Sequence, residues 1–262
     1  MCTAINFKSK DFYFGRNLDL EYSYKETVTV TPRNYPFRFR CMGEMDHHYA
    51  MIGMAYVVDG YPLYYEATNE KGVSAAGLRF AENAHYPAMA EGKDNVAPFE
   101  FIPWILSQAG NMKSVKKLLQ EISIVNIPFS KELPNTPLHW MISCGEESLV
   151  VEPMADGLHV YENPVGVMTN QPPFPVQLWN LRNTKTLPGD LESPSRFVRA
   201  VHVLSHSVCG DSEEESVGQF FHILTFFDEH NNAINVVNPL IINISKPNLY
   251  PLNSCAEYMF KI

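Results

Sequence analysis

Cys2, Arg16 and Asp19 are the first residues of this 262-residue chain that could do chemistry together. A thiolate is a strong nucleophile, but a free thiol titrates near about 8.5 and needs a base at neutral pH. An N-terminal α-amine, with a pKa of roughly 7.7–8.0, would supply that base on the same residue. The pairing exists only once Met1 is removed, and a residue as small as cysteine at position 2 is compatible with removal. Taken alone, Cys2 reads better as a small buried or incidental thiol. The stretch "GRNLD" adds Arg16 and Asp19 at the end of an apparent second strand, which could pair with the first as a hairpin. There an arginine beside the thiol favours the thiolate, and a carboxylate beside the amine could orient it. Positions three apart on a regular strand face opposite ways, so both reach Cys2 only if the chain bends or bulges after Arg16. The plainer alternative is a surface Arg–Asp pair worth little.

The elements that must position these groups read as strands, helices, strands, helices. "ETVTVTP" alternates, with Val28 and Val30 on one face, and "YAMIGMAYVV" is an apolar run rich in strand formers. "NEKG", Asn69 to Gly72, turns between "YPLYYEA" and "VSAAGLRF". "FEFIPWILSQ" is a helix, and a second starts at Ser114 as N-cap. Its Val115, Leu118, Leu119 and Ile122 have the spacing of one buried stripe. Short strands follow in "LHWMISC", "SLVVEP", "LHVYE" and "GVMT". Two closing helices carry the stripes Phe197, Ala200, Val201, Leu204 and Val217, Phe220, Phe221, Leu224. The acidic run from Asp211 to Ser216 suits the N-terminus of the second, where carboxylates complement the helix dipole. Two antiparallel sheets packed face to face, with helices outside each, bury every stripe. No linker or low-complexity stretch divides the chain, so residues 1–262 read as one domain. "AINVVNPLIINIS" near the end looks like strand broken by Pro239.

Composition narrows the function classes. A formal charge of −9, with twenty scattered basic residues, argues against nucleic acid as a partner. No run of about 18 apolar residues exists to span a membrane, and no basic segment leads into an apolar one as a signal peptide would. Five cysteines at wide, irregular spacing, with no CxxC pair, point to free thiols in a reducing, cytoplasmic setting. His202 and His206 stand at a spacing that could bind a metal. They lack the accompanying glutamate of zinc proteases and fall off the Phe197–Leu204 stripe, so a solvated helix face is the better reading.

Several stretches in order, "MCTA", "FGRNLD", "PRNYPF", "NEKG" with "AGL", "FIPWIL", "SKELPNTPLHWMIS", "GVMTNQPPF", "LPGD" and "SRFVR", resemble the choloylglycine hydrolase (bile salt hydrolase) and penicillin V acylase family. These are N-terminal-nucleophile (Ntn) hydrolases that cleave linear amides. The resemblance covers residues 1 to about 224, is nearest to the bile salt hydrolases of gut Firmicutes, and leaves residues 225–262 unmatched. It implies an α+β fold, the four-layer αββα sandwich of two antiparallel sheets flanked by helices, with an atypical C-terminal part. It places the nucleophile on Cys2, its supporting arginine and aspartate on Arg16 and Asp19, an oxyanion-hole donor on Asn170, and a member of the charged network on Arg196. The implied reaction is hydrolysis of a glycine- or taurine-conjugated bile salt through a thioester, with no cofactor and no metal. Leu18, Tyr24, Phe129 and Leu133 are candidate contacts to the steroid, or plain core and rim packing. Penicillin V or an N-acyl homoserine lactone as substrate, and a non-catalytic or truncated relative that at most binds bile acid, are the alternatives.

The chain departs from the family pattern in three places. After "AGL", bile salt hydrolases carry Asn and penicillin V acylases typically Tyr, where this chain has Arg79. Its backbone N–H could still serve the oxyanion, while its side chain could attract an anionic conjugate or plug the pocket. "NLRNTKTLPGD" is shorter than the segment through which relatives assemble, leaving a homo-oligomer open. The sequence after "FFHIL" does not follow the family's closing strands.

Overall fold

The computed structural model describes residues 1–18, 23–208, 210–225 and 242–243. β1 (Cys2–Lys8) and β2 (Phe12–Leu18) form an antiparallel hairpin in which Cys2 faces Leu18 and Ala4 faces Arg16. Both are buried almost throughout, as strands covered on two faces must be. β3 (Thr27–Thr31) is the edge of a larger sheet, so the face bearing Val28 and Val30 looks to solvent while Thr31 is buried. β4 (Phe37–Phe39) and β5 (Gly43–Met45) make a separate ribbon. β6 (Met51–Val58), β7 (Tyr61–Asn69) and β8 (Val73–Arg79) run as a meander. Its second turn is the expected "NEKG", where Gly72 takes a φ of 80° that disfavours other residues.

β9 (Asp94–Val96) and, later in the chain, β10 (Ile122–Ile124) pair in parallel and bracket two helices. α1 (Phe101–Gln108) is buried nearly all round. α2 (Met112–Glu121) starts earlier than the sequence suggested. Asn111, not Ser114, is its N-cap: the Asn111 side chain accepts from Ser114 N–H at 2.9 Å, and Ser114 Oγ accepts from Asn111 N–H at 3.1 Å. Ser114 is thus the reciprocal partner of the cap, in the place glutamate usually holds. Met112, Val115 and Leu119 are buried, and Ile122 has already left the helix for β10.

β11 (Leu138–Cys144), β12 (Glu147–Met154) and β13 (Gly157–Glu162) complete a seven-stranded antiparallel sheet in the order β13-β12-β11-β8-β7-β6-β3. β14 (Val167–Met168) returns to the other sheet, beside β1. Three helices follow: α3 (Phe174–Asn183), α4 (Ser193–His206) and α5 (Glu213–Thr225). The last strand, β15 (Ile242–Asn243), pairs with β2 and gives the second sheet the order β14-β1-β2-β15. α3 is not legible in the sequence, because prolines at 172, 173 and 175 interrupt its start. α5 begins on the acidic run as expected, with Glu213, Glu214 and Glu215 in its first turn.

α1 packs on β7 and β8 outside the large sheet, α4 on β1 and β14 and α5 on β2 outside the small one, and β1 and β2 meet β8 between them. The expected four-layer αββα order is the one observed. One apolar cluster lies under α1 and α2, around Trp104, Phe101 and Trp140. The other joins the two sheets to α4 and α5 and includes Cys2, Ala4, Phe14, Ala76, Phe197 and Phe220. No helix among the described residues is long and apolar enough to cross a membrane.

Candidate active site

Cys2 lies at the start of β1 and is 6% exposed, within the core between the sheets. The hairpin register sets Ala4 against Arg16, so Arg16 is a diagonal neighbour of Cys2 on the same sheet face. Its Nη2 donates to Cys2 Sγ at 3.1 Å. The rest of the guanidinium is held by carbonyls: Nη1 donates to Gly77 O and, at 3.4 Å, to Tyr65 O. Five donors in a fixed planar fork allow one arginine to do both jobs. Asp19 lies outside the described residues.

Asn170 reaches Cys2 from the opposite flank. β14 pairs Met168 with Ala4, and two residues further on the chain lies alongside Cys2. With Met1 attached, the Cys2 nitrogen is an amide, and it donates to Asn170 Oδ1 at 3.0 Å. Arg196, wholly buried on α4, also donates to Asn170 Oδ1, from Nη2 at 2.8 Å. Arginine can only donate, so this contact fixes which way the Asn170 amide points. Nδ2 therefore donates, to Arg79 O at 2.8 Å, which leaves its second N–H. Arg196 Nη1 donates to Cys2 O at 2.9 Å and to Thr3 Oγ1 at 3.0 Å, clamping the start of β1 from outside the sheet.

Arg79 ends β8, and its side chain is exposed. Phe80 N–H donates to Pro137 O, so Arg79 and Leu138 are a non-hydrogen-bonded pair. The Arg79 backbone N–H and C=O both turn away from β11, toward the side from which Asn170 reaches. Leu18 is buried opposite Cys2. Tyr24 is exposed in the segment before β3. Phe129 packs edge-on against Phe99 at 5.3 Å, with Tyr61 and the Arg40 guanidinium beside it, and Leu133 is half-buried in the same loop. The structure thus gathers Cys2, Arg16, Asn170, Arg196, Leu18 and the Arg79 backbone; Phe129 packs on Phe99, Tyr61 and Arg40, and Tyr24 comes near the Tyr65 phenol.

Three buried polar groups in and behind the cluster escaped the sequence reading. Gln177 on α3 donates to Asn170 O and to Pro172 O, each at 2.7 Å, and so holds the Asn170 backbone. Glu152 on β12 accepts from Phe174 N–H at 3.0 Å, anchoring the start of α3, and lies 3.2 Å from His139 Nδ1. Glu66 on β7 is buried with Oε2 3.6 Å from Arg16 Nε, an ion pair too long for a hydrogen bond. Burial pushes the Glu66 carboxyl up to about 7 despite the opposing pull of Arg16. A glutamine seven residues after Asn170 was the only advance sign of the first; a charged residue inside an apolar strand was the sign of the others. Among the described residues no three His, Cys, Asp or Glu side chains gather as a metal site, and His202 and His206 stack together on an exposed face of α4.

The model of the linear amide C–N hydrolases, choloylglycine hydrolase family, matches residues 2–187 and 182–238. A bile salt hydrolase/transferase of Lactiplantibacillus plantarum is 45% identical over 91% of this chain and 82% of its own length. One from Bifidobacterium longum subsp. longum is 36% identical over 86% of this chain and 80% of its own. The crystal structure of a conjugated bile acid hydrolase mutant from Clostridium perfringens superposes with a TM-score of 0.78 at 32% identity, covering 87% of this chain and 79% of that one. A penicillin V acylase from Agrobacterium tumefaciens shares the fold, with a TM-score of 0.74 at 19% identity over 86% of this chain and 72% of that one. With the Cys2 cluster at the head of a four-layer sandwich, these matches show that the chain belongs to the linear amide C–N hydrolases of the choloylglycine hydrolase family.

Proposed function

We propose that the protein hydrolyses the amide bond of glycine- or taurine-conjugated bile salts, with Cys2 as nucleophile once Met1 has been removed. The observation that carries this reading is the double hold on one residue: Arg16 on the Cys2 sulfur and Asn170 on the Cys2 nitrogen. Freed of Met1, that nitrogen is an α-amine whose place is already fixed by Asn170 Oδ1. The thiolate adds to the amide carbonyl carbon, and the oxyanion is met by the second Asn170 Nδ2–H and the Arg79 backbone N–H. The tetrahedral adduct collapses, the C–N bond breaks, and the Cys2 ammonium gives its proton to the departing glycine or taurine nitrogen. Water then adds to the thioester, passing a proton to the α-amine, and the bile acid leaves as the thiol is restored. Arg196 keeps the strand end and the Asn170 amide in register throughout.

Leu18 lines the thiol's own face of the sheet and suits an apolar acyl group. The exposed Arg79 side chain suits the sulfonate or carboxylate of the conjugate. Tyr24, Phe129 and Leu133 are proposed as outer contacts to the steroid. A cytoplasmic setting fits a nucleophile that must stay a free thiol. Release of glycine or taurine from glycocholate and taurocholate tests the reading, with penicillin V and an N-acyl homoserine lactone as competing substrates. Turnover of the conjugated bile salts is expected. Cleavage of penicillin V or the lactone alone moves the substrate class, and binding without turnover makes the chain a non-catalytic relative.

A further inference from the structure

β7 does not alternate regularly. Met54 pairs with Glu66 and Ala55 with Tyr64, so Tyr65 is an extra residue, a β-bulge. Tyr64 and Ala67 consequently face the α1 layer, while Glu66, paired with Met54 and Ala76, faces the inter-sheet core that holds Cys2. In a regular strand Glu66 would share the Tyr64 face. The same bulge turns the Tyr65 carbonyl to Arg16. A buried carboxylate is thereby delivered to Nε of the same guanidinium whose Nη2 holds the Cys2 sulfur.

We propose that Glu66 is a positioning residue for the Cys2 thiol, acting through Arg16. It touches neither sulfur nor substrate. Its charge sets how much of the Arg16 field reaches the thiolate: an ionised Glu66 competes for the guanidinium at Nε, and a protonated one leaves it to the sulfur. Among the described residues Oε2 accepts no hydrogen bond, and the charge opposing its protonation is that of Arg16. The groups facing it are Arg16 from β2 and the Tyr65 phenol on its own strand; its pairing partners Met54 and Ala76 are uncharged. Beyond Arg16 stand the Cys2 thiol and nitrogen, with Arg196 behind them. The carboxyl changes charge near neutral pH, which makes the coupling readable.

This inference rests on Cys2 being the nucleophile, and alkylation reads the thiol without turnover. Iodoacetamide labelling of the Cys2 peptide, followed by mass spectrometry, is compared between wild type and Glu66→Gln from pH 5.5 to 8. The expected ratio of rates is close to 1 at pH 5.5 and rises to as much as about tenfold in favour of Glu66→Gln between pH 7 and 8. Glu66→Asp, which retains the charge, should restore the wild-type profile. A ratio that stays constant across pH in folded protein overturns the proposal. The width of the profile gives a second readout: the Cys2 α-amine broadens it in both proteins, wild type should be broader than Glu66→Gln, and equal widths also overturn the proposal. A Cys2→Ala protein that still turned over substrate would sink the nucleophile reading and the coupling's catalytic role with it, while the alkylation ratio reports the coupling itself.

Discussion

Replacing Glu66 by glutamine should change how the stability of the protein depends on pH, and in an unusual direction. A paired carboxylate ordinarily stabilises a fold above its titration range. Glu66 does the reverse, because burial lifts it from the ordinary 4.5 to about 7. Between those values the unfolded chain has already released the proton that the folded chain retains, so stability falls as pH rises. The loss begins above the unfolded value, is nearly complete once pH passes the folded one, and amounts to about 3 kcal/mol. Glutamine has no proton to release. Whatever constant offset the amide introduces beside Arg16, the stability of Glu66→Gln minus that of wild type should grow by about 3 kcal/mol from pH 4 to pH 8. At about 2–4 °C per kcal/mol for a chain of this size, that is a relative gain of roughly 6–12 °C in Tm. Urea unfolding of both proteins at half-unit pH steps measures the difference directly, and all other groups cancel. A difference that is flat with pH, or that shrinks toward pH 8, refutes the assignment of Glu66 as a carboxyl kept protonated by burial.

Three further substitutions probe other parts of the site. Asn170→Ala removes the proposed oxyanion donor and strips partners from the Cys2 nitrogen and Arg196, so kcat should fall by about 10²–10³-fold in a steady-state assay. Arg16→Lys keeps a charge but not the fork that binds Sγ, Gly77 O and Tyr65 O together, and kcat/KM should fall at least about tenfold. Gly53→Ala puts a methyl group well inside contact with the Glu66 carbonyl oxygen and 2.6 Å from Ala67 Cα, all backbone of the neighbouring strand. It should cost about 3 kcal/mol or more in urea unfolding, or prevent folding.

The fold was legible wherever periodicity and burial agree. The stripes at Val115 and Leu119, Phe197 and Ala200, and Phe220 and Leu224 became helix faces buried against the sheets. α3 was hidden by the prolines at its start and because its first N–H is met at a distance, by the Glu152 carboxylate across the core rather than by a local side chain. The residues that the structure brings together around Cys2 were named by type in the sequence, but their wiring was not legible there. Arg16 and Cys2 share a face because the hairpin pairs them two positions apart, which alternation permits. Asn170 was expected as a donor, and the structure adds that its oxygen is already taken by the Cys2 nitrogen and Arg196. The facing of Glu66 was hidden because a bulge reverses it, and single-strand alternation puts it with Tyr64. Register shifts of that kind arise from pairing with β6, which no local stretch of β7 encodes. β2 pairs with β1 in regular register through Arg16, Asn17 and Leu18, and Asp19 lies outside the described residues.

The most direct test of the account is the mass of the N-terminal peptide after a reaction with glycocholate is quenched in acid during turnover. The account predicts a peptide that begins at Cys2, without Met1, carrying a cholyl group that hydroxylamine releases as a thioester. Acylation at any other residue, or steady turnover by protein whose peptide still begins at Met1, would contradict it.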